Sequence, residues 1–277
     1  MAIKDVKWNE GPSWGQYSLT GLRRWILNLS QKVPFKRLGI WVRSPLKNSL
    51  SGYVDTEIWG LRLRLMSTGN LSEQRMLFLP QHVDSRERQI LAKELSSGGR
   101  FLDVGANAGL YSLWVASLGH AKTVVEAFEP DSNLRERLDW NLQENKLSRV
   151  NVWNCALGRI DGETKLQSNS DNLGQNRVGN KEEGVVVPMR RLASIFSEEG
   201  WDDVQAMKID VEGYEVEVLE DFFESVAKEK WPKLVICEDL EKGASSPGSQ
   251  LLEQVGYHKA ERTRMNGIFR LTSEEEK

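Results

Sequence analysis

The stretch FLDVGANAGLYSL at 101–113, followed by VVEAFEPD at 124–131, constrains the fold most. An apolar strand, a turn containing Gly105 and Gly109, a helix start and a second strand ending at Glu129 describe one half of a nucleotide-binding fold. Glycines at such a turn let a ligand approach the backbone, and the helix that follows offers free N–H groups. Glycines also close ordinary strand-to-helix turns. The main evidence for a nucleotide site is therefore Glu129, which lies where a ribose would bind.

Strands and helices alternate from Arg100 onward, which predicts an α/β fold with a mostly parallel sheet covered by helices. The predicted organisation is a basic, tryptophan-rich extension (1–88), a main domain (89–272) and a disordered acidic tail (273–277). Four further expectations concern single segments. TEIWGLRLRL is one strand, FKRLGIWVRS ends at Pro45, VNVWNCALG is the third strand of the main domain, and 166–184 is a lid-like loop or hairpin.

The distribution of charge along the sequence indicates which binding partners to expect. The formal net charge of −3 argues against a dedicated nucleic-acid binder, yet residues 21–50 contain seven Lys or Arg and no Asp or Glu. In the same region, Leu22, Ile26 and Leu29 share one helix face. Three uses of this extension stay open: a cap on the fold, stacking of tryptophans on sugars, or peripheral contact with the inner face of a membrane.

Cysteine content and hydropathy bear on the compartment. Cys155 and Cys237 are the two cysteines, each lies in an apolar strand-like stretch, and buried thiols are expected rather than a disulfide. The chain has no apolar run of membrane-spanning length, and its N-terminus lacks the layout of a signal peptide. We expect a cytoplasmic location.

The glycine turn also limits which nucleotide can bind. A dinucleotide site needs a second glycine at the pyrophosphate and a third at the helix, but Asn107 and Leu110 stand there. No GxxxxGK[ST] loop occurs, which excludes a P-loop. A nucleoside without a pyrophosphate, held at its ribose by a carboxylate, remains, and S-adenosylmethionine fits that description.

The sequence resembles the FkbM family of S-adenosylmethionine-dependent methyltransferases. The resemblance covers roughly residues 89–272, and KIDVEG is its most specific motif. The motifs that carry it are LDVGANAGLYSL (102–113), AFEPD (127–131), the pair Asn141 and Asn145, NCALG (154–158), VPMRRL (187–192) and KIDVEGYEVEVL (208–219).

The resemblance implies a Rossmann-like class I methyltransferase fold, with seven strands of which the last is antiparallel. It implies that Gly105, Asn107 and Gly109 approach the methionine part of the cofactor, that Glu129 takes the ribose hydroxyls, and that Ala156 flanks the adenine. The full predicted cofactor set is Asp103, Gly105, Asn107, Gly109, Glu129, Pro130, Asn154, Ala156 and Asp210.

Three carboxylates are predicted to meet beside the cofactor. Asp210 ends the fourth strand, Glu212 follows two residues later, and Glu238 ends the next strand. A hydroxyl acceptor needs a base or a metal to remove its proton, so Asp210 is either the general base or, with Glu212 or Glu238, a ligand of a divalent cation. Glu212 has a structural alternative as the cap of a helix beginning at Gly213.

The leading functional hypothesis is O-methylation of a hydroxyl of a sugar in a glycan, glycolipid or secondary metabolite. N-methylation of protein or nucleic acid is the first alternative, although KIDVEG stands where DPPY or NPPY would be expected. An NAD-dependent oxidoreductase and a protein that binds the cofactor without turnover are the others.

Overall fold

The computed structural model describes residues 11–33, 36–167, 177–178, 184–239 and 245–272. The predicted tail at 273–277 and most of the predicted lid at 166–184 lie outside these ranges. The helices are α1 (Gly21–Lys32), α2 (Lys36–Ser49), α3 (Leu71–Phe78), α4 (Ser85–Glu94), α5 (Leu110–Ser117), α6 (Ser132–Glu144), α7 (Leu192–Glu199), α8 (Glu215–Ser225) and α9 (Pro247–Gln254). The strands are β1 (Tyr53–Ile58), β2 (Leu61–Met66), β3 (Gly99–Val104), β4 (Thr123–Phe128), β5 (Val150–Trp153), β6 (Ala156–Leu157), β7 (Gly162–Gln167), β8 (Arg177–Val178), β9 (Val185–Arg190), β10 (Val204–Ile209), β11 (Leu234–Glu238), β12 (Tyr257–Arg262) and β13 (Asn266–Leu271).

Seven strands form the main sheet, in the order β12-β13-β11-β10-β3-β4-β5. The five strands from β11 to β5 pair in parallel, whereas β13 pairs antiparallel with both of its neighbours. The predicted seven-stranded, mostly parallel sheet with helices on both faces is confirmed. The parallel strands bring their carboxyl ends to one edge, which is where such sheets bind ligands.

Strand alternation decides which residues meet at that edge. In β10, Ala206 packs into the apolar core on one face of the sheet, while Met207 and Ile209 pack into the core on the other face. Lys208 therefore points to the same side as Ala206. Its register partner on β3 is Asp103, so a lysine and an aspartate lie side by side near the end of the sheet.

The predicted third strand is divided between two sheets. Residues 150–153 extend the main sheet as β5, but Ala156 and Leu157 form β6, which pairs with β9 in a four-stranded sheet of order β6-β9-β7-β8. The prediction of one continuous strand is wrong because the exposed Asn154 interrupts the apolar pattern and the chain changes direction there.

The segment predicted as one strand, TEIWGLRLRL, is a hairpin. Strands β1 and β2 pair antiparallel across the two residues Trp59 and Gly60, which have φ values of 54° and 77°. Positive φ at both central residues is the geometry of a tight hairpin turn. Apolar alternation continues through the reversal, so the sequence pattern does not reveal it.

Helix α2 runs through Pro45 to Ser49 instead of ending at the proline. A proline inside a helix removes one backbone hydrogen bond. Leu46, the next residue, is 2% exposed in the main core, and its burial favours continuation of the helix. The predicted end at Pro45 is therefore wrong.

The extension shares a core with the sheet. Leu27, Leu63 and Leu91 belong to the same apolar cluster as Phe101 of β3 and Leu113 of α5. Residues 11–88 are thus packed as a cap on the α/β unit wherever the structure describes them.

Two asparagines one helical turn apart attach the hairpin to α6. Asn141 Oδ1 accepts from the backbone N of Arg64 at 2.8 Å and its Nδ2 donates to the Arg64 carbonyl at 3.2 Å. Asn145 does the same with Arg62, at 2.8 and 2.7 Å. Four helical residues advance about 6 Å and two strand residues about 6.6 Å, so the spacings match. The helix thereby supplies the hydrogen bonds of a missing neighbouring strand.

A buried ion pair reinforces this contact. Arg64 Nε lies 2.7 Å from Asp55 Oδ1, and both side chains are almost fully buried. The guanidinium of Arg64 also lies 4.1 Å from the ring centroid of Trp140 on α6. Hydrogen bonds and ring contact satisfy the buried charge, as a buried ion pair requires.

We expect Asn141→Ala to lower the free energy of unfolding by about 2–4 kcal/mol, because it removes a buried amide and leaves the Arg64 N–H without an acceptor. Asn145→Ala, the matched change at the partly exposed position, should cost below about 1 kcal/mol. Urea unfolding followed by circular dichroism measures both. Equal losses for the two variants would contradict the assignment.

Candidate active site

The turn after β3 lies directly against the end of β10. Gly105 has a φ of 78°, and a Cβ there would overlap the carbonyl oxygen of Asp210. The Asp210 N–H in turn donates to the Val104 carbonyl at 3.0 Å. Only glycine permits this approach, which places Asp210 beside the glycine turn.

Glu129 closes the turn from the next strand. Its Oε2 accepts from the backbone N of Asn107 at 2.7 Å and its Oε1 accepts from the backbone N of Asp131 at 2.9 Å. The side chain is 6% exposed, and this burial raises the pKa of Glu129 to about 7 against the lowering effect of the two N–H donors. The carboxylate lies at the carboxyl end of β4, beside the glycine turn.

A narrow inner cavity runs along this turn, with about 60 Å³ of free volume. One end is polar and the other apolar, as a nucleoside with a ribose and a flat base needs. Because the volume is small, the side chains at the apolar end must separate to admit an adenine. The inner cavity is lined by Val104, Gly105, Asn107, Phe128, Glu129, Pro130, Leu134, Cys155, Ala156, Leu157, Leu166, Asp210, Val211 and Glu212.

Three predicted cofactor residues do not line this cavity: Asp103, which lines the neighbouring cavity, Asn154 and Gly109. Asn154 is exposed outside it. Gly109 faces α6, where a Cβ would overlap the side chain of Leu138. The glycine at 109 therefore permits close packing of α5 against α6.

Asp103 and Lys208 form the floor of a neighbouring chamber. Asp103 Oδ2 accepts from the backbone N and the hydroxyl of Ser112, at 3.0 and 2.6 Å. Burial raises the pKa of Asp103, and the nearby Lys208 ammonium opposes that rise. Lys208 Nζ lies 2.6 Å from Asp210 Oδ2. Burial tends to lower the pKa of Lys208, but Asp210 and Asp103 outweigh it and the pKa rises.

Glu238 ends β11 opposite this ion pair. Burial raises its pKa to about 8, and the negative charges of Asp210 and Glu212 act in the same direction. Glu238 is thus protonated near neutral pH unless a positive charge approaches. A carboxyl group with such a pKa suits proton transfer from a hydroxyl.

The carboxylate chamber, as we call this space, has a volume of about 410 Å³. It shares Gly105, Asn107, Asp210 and Glu212 with the inner cavity, so the two are continuous. The chamber is lined by Leu71, Ser72, Arg75, Asp84, Asp103, Gly105, Ala106, Asn107, Leu110, Tyr111, Lys208, Asp210, Glu212, Gly213, Glu238, Met265 and Asn266. The structure thereby brings Asp210, Glu212 and Glu238 to one chamber.

Glu212 is not the helix cap that its sequence position suggests. Helix α8 begins at Glu215, whose own carboxylate accepts from the backbone N of Val211 at 2.9 Å and of Gly213 at 3.2 Å. Glu212 instead has a left-handed φ of 54° and lines both cavities.

The carboxylates have a spacing that a cation could use. Asp210, Glu215 and Glu238 offer oxygens within 4.8 Å of one another, and Glu212 is not part of this set. The Lys208 ammonium already neutralises Asp210, which disfavours a divalent ion at the same place. A metal role stays a prediction from the sequence.

Sequence reasoning missed Lys208, Glu215, Tyr111 and Asp84. The sequence could have indicated Lys208, because residues two apart on a strand share a face and Asp210 is a predicted catalytic residue. Asp84 had none, since its place in the chamber follows from a left-handed turn with a φ of 41°. The Tyr111 hydroxyl donates to Asp84 Oδ2 at 3.1 Å.

Comparison with known proteins is consistent with this geometry. Residues 103–249 match the family model described as methyltransferase FkbM domain. The AMB antimetabolite synthetase AmbE of Pseudomonas aeruginosa PAO1 is 28% identical over 193 residues, which are 54% of this chain and 9% of that protein. The chain thus spans less than a tenth of this relative.

Two solved methyltransferase structures are similar to the chain at low sequence identity. The METTL16 methyltransferase domain aligns with a TM-score of 0.49 and 13% identity, over 90% of this chain and 80% of that one. A methyltransferase from Geobacter sulfurreducens gives 0.44 and 18%, over 73% and 86%.

We expect Glu129→Ala to weaken binding of S-adenosylhomocysteine about tenfold or more, because a charged hydrogen-bond acceptor is lost. The melting temperature should also fall, since the N–H groups of Asn107 and Asp131 lose their acceptor. Isothermal titration calorimetry measures the affinity, with exposed Glu136→Ala on α6 as control. Unchanged affinity in Glu129→Ala would refute its role.

Proposed function

Since the chain belongs to the FkbM methyltransferase family, we propose that it is an O-methyltransferase that uses S-adenosylmethionine to methylate a hydroxyl of a sugar in a glycan, glycolipid or secondary metabolite. The observation that carries the proposal is Glu238, a carboxyl group of raised pKa in a polar chamber continuous with the inner cavity. The family assignment leaves no support for the oxidoreductase alternative.

The residues that line the inner cavity suit the chemical groups of the donor. Gly105 leaves room for close contact, Glu129 offers a ribose acceptor, and Phe128, Ala156 and Leu157 provide an apolar end for the base. The bound cofactor supplies its methyl group as an electrophile on a sulfonium.

The chain's own part is to orient the hydroxyl and take its proton. The hydroxyl donates its one hydrogen bond to Glu238, while Asp210, held by Lys208, lines the same chamber beside it. As the oxygen-to-carbon bond forms and the carbon-to-sulfur bond breaks, the hydroxyl proton passes to ionised Glu238. The products are a methyl ether, a neutral thioether and protonated Glu238, so charge and atoms balance.

The pKa of Glu238 gives a test by pH. Its base form is needed and its pKa is raised, so kcat/KM for the cofactor should rise with pH through about 8 and level off above it. With cofactor bound, the sulfonium stabilises the charged carboxylate and lowers its pKa. The increase of kcat with pH should therefore have its midpoint at a lower pH than the increase of kcat/KM. Transfer of labelled methyl to glycan extracts measures both.

Glu238→Gln should lower kcat by about 10²-fold to 10⁴-fold and remove the pH step, as expected for loss of a general base. The exposed Glu253→Gln is the matched control. A methyl group found on nitrogen, or full activity in Glu238→Gln, would overturn the proposal.

The exposed face of α1 and α2 supports a second function, peripheral contact with an anionic membrane. Leu22, Trp25 and Trp41 are 70%, 61% and 74% exposed. Arg23 and Arg24 lie exposed among them. Exposed apolar and basic groups on these two helices suit the headgroup region of an anionic bilayer. By contrast, Trp14 and Trp59 lie against arginines, at 5.1 and 4.9 Å from ring centroid to guanidinium carbon.

No helix among the described residues is long and apolar enough to span a membrane. We therefore expect surface binding, measured by co-sedimentation with phosphatidylglycerol vesicles. The double variant Trp25→Ser with Trp41→Ser should lose most of the bound fraction, whereas Ile160→Ser, at an exposed apolar residue elsewhere, should not. Equal binding of both variants would exclude this surface.

A further inference from the structure

A second cavity of about 410 Å³ opens beside the carboxylate chamber. The two cavities are adjacent, because they share four wall residues: Leu71, Arg75, Asp84 and Met265. We call the second cavity the basic vestibule. Its charged lining comprises Arg43, Lys47, Arg75, Arg86, Arg264, Asp84 and Glu87.

The two acids of the vestibule already have partners. Glu87 Oε1 accepts from the Thr263 hydroxyl at 2.5 Å and from Asn266 Nδ2 at 2.9 Å. Asp84 accepts from the hydroxyl of Tyr111, as described above, and burial raises the pKa of Asp84. Of the cations, Arg86 is paired with Glu261 at 2.7 Å.

Four cations remain without such a partner. Arg43, Lys47, Arg75 and Arg264 form no ion pair with any residue in the described ranges. They come from three separate elements, α2, α3 and the β12–β13 turn, that the fold brings to one cavity.

Arg43 is the most informative of the four. Its Nε is buried and has no hydrogen-bond partner among the residues that the structure describes. The guanidinium lies 5.6 Å from the ring centroid of Phe78, which does not replace an acceptor. Buried polar groups in native proteins are almost always hydrogen-bonded. The Arg43 Nε–H is thus a donor that no described residue uses, on a side chain that lines the vestibule.

We infer that the acceptor carries a phosphate group, which binds in the basic vestibule while the hydroxyl to be methylated lies in the carboxylate chamber. This inference rests on the proposed function and specifies its acceptor. Several unpaired cations suit a phosphate, with more than one negative charge and several acceptor oxygens, better than a single carboxylate. The acidic chamber repels the same group, so the acceptor can enter in only one orientation.

Binding of inorganic pyrophosphate tests the vestibule without turnover. Calorimetry should show saturable binding to the full chain, weakened about tenfold or more in Arg43→Met and in Arg75→Met, because each removes charged hydrogen bonds. Arg37→Met, an exposed arginine of α2 outside the vestibule, is the control and should bind normally. Arg43→Lys, which keeps the charge, should recover part of the affinity and guards against misfolding of the Met variant.

Kinetics then identify the source of the phosphate. KM for a free hexose phosphate, or for a polyprenyl-linked sugar phosphate, should lie about tenfold or more below that for the neutral hexose and should rise in Arg43→Met. Either phosphorylated substrate supports the inference, and the preferred one names the source. Equal KM for neutral and phosphorylated acceptors, or pyrophosphate binding that Arg43→Met leaves unchanged, overturns it. Absence of S-adenosylhomocysteine binding would instead refute the proposed function, so the two failures are distinguishable.

Discussion

The backbone contact between Gly105 and the carbonyl of Asp210 is the constraint on which the rest of the site depends. It fixes the end of β10 against the turn after β3, at a separation that no side chain could fill. Because of it, Asp210 borders both the inner cavity and the carboxylate chamber. Around Asp210 lie Lys208, Glu215 and Glu238. One close backbone approach therefore sets the distance between the inner cavity and these side chains.

Much of the fold was predictable because it rests on local periodicity. The strand and helix pattern from Arg100 onward predicted a mostly parallel sheet, and the resemblance to the family added its seven strands. Predictions failed where the periodicity of apolar residues does not reveal the structure. A hairpin at Trp59 and Gly60 keeps the alternation of a single strand, and burial of Leu46 outweighs the helix-breaking tendency of Pro45.

The site was predictable to the extent that chemistry follows motif position. Asp210 and Glu238 were found because they end neighbouring parallel strands, and their carboxyl ends must meet. Asn154 and Gly109, which were predicted in the cofactor set, lie outside the inner cavity, since sequence spacing does not show which way a residue faces. The basic vestibule could not be found at all, because Arg43, Arg75 and Arg264 converge only through tertiary packing.

The pairing of Asn141 and Asn145 with β2 has a consequence for how the chain folds. These hydrogen bonds join residues 77 and 83 positions apart. Closing so long a loop costs chain entropy before any contact rewards it, so such contacts form late. During synthesis the hairpin emerges first and waits for α6, with its outer strand edge open to other chains. The two asparagines therefore end a period of exposure to aggregation, in addition to holding the finished cap in place.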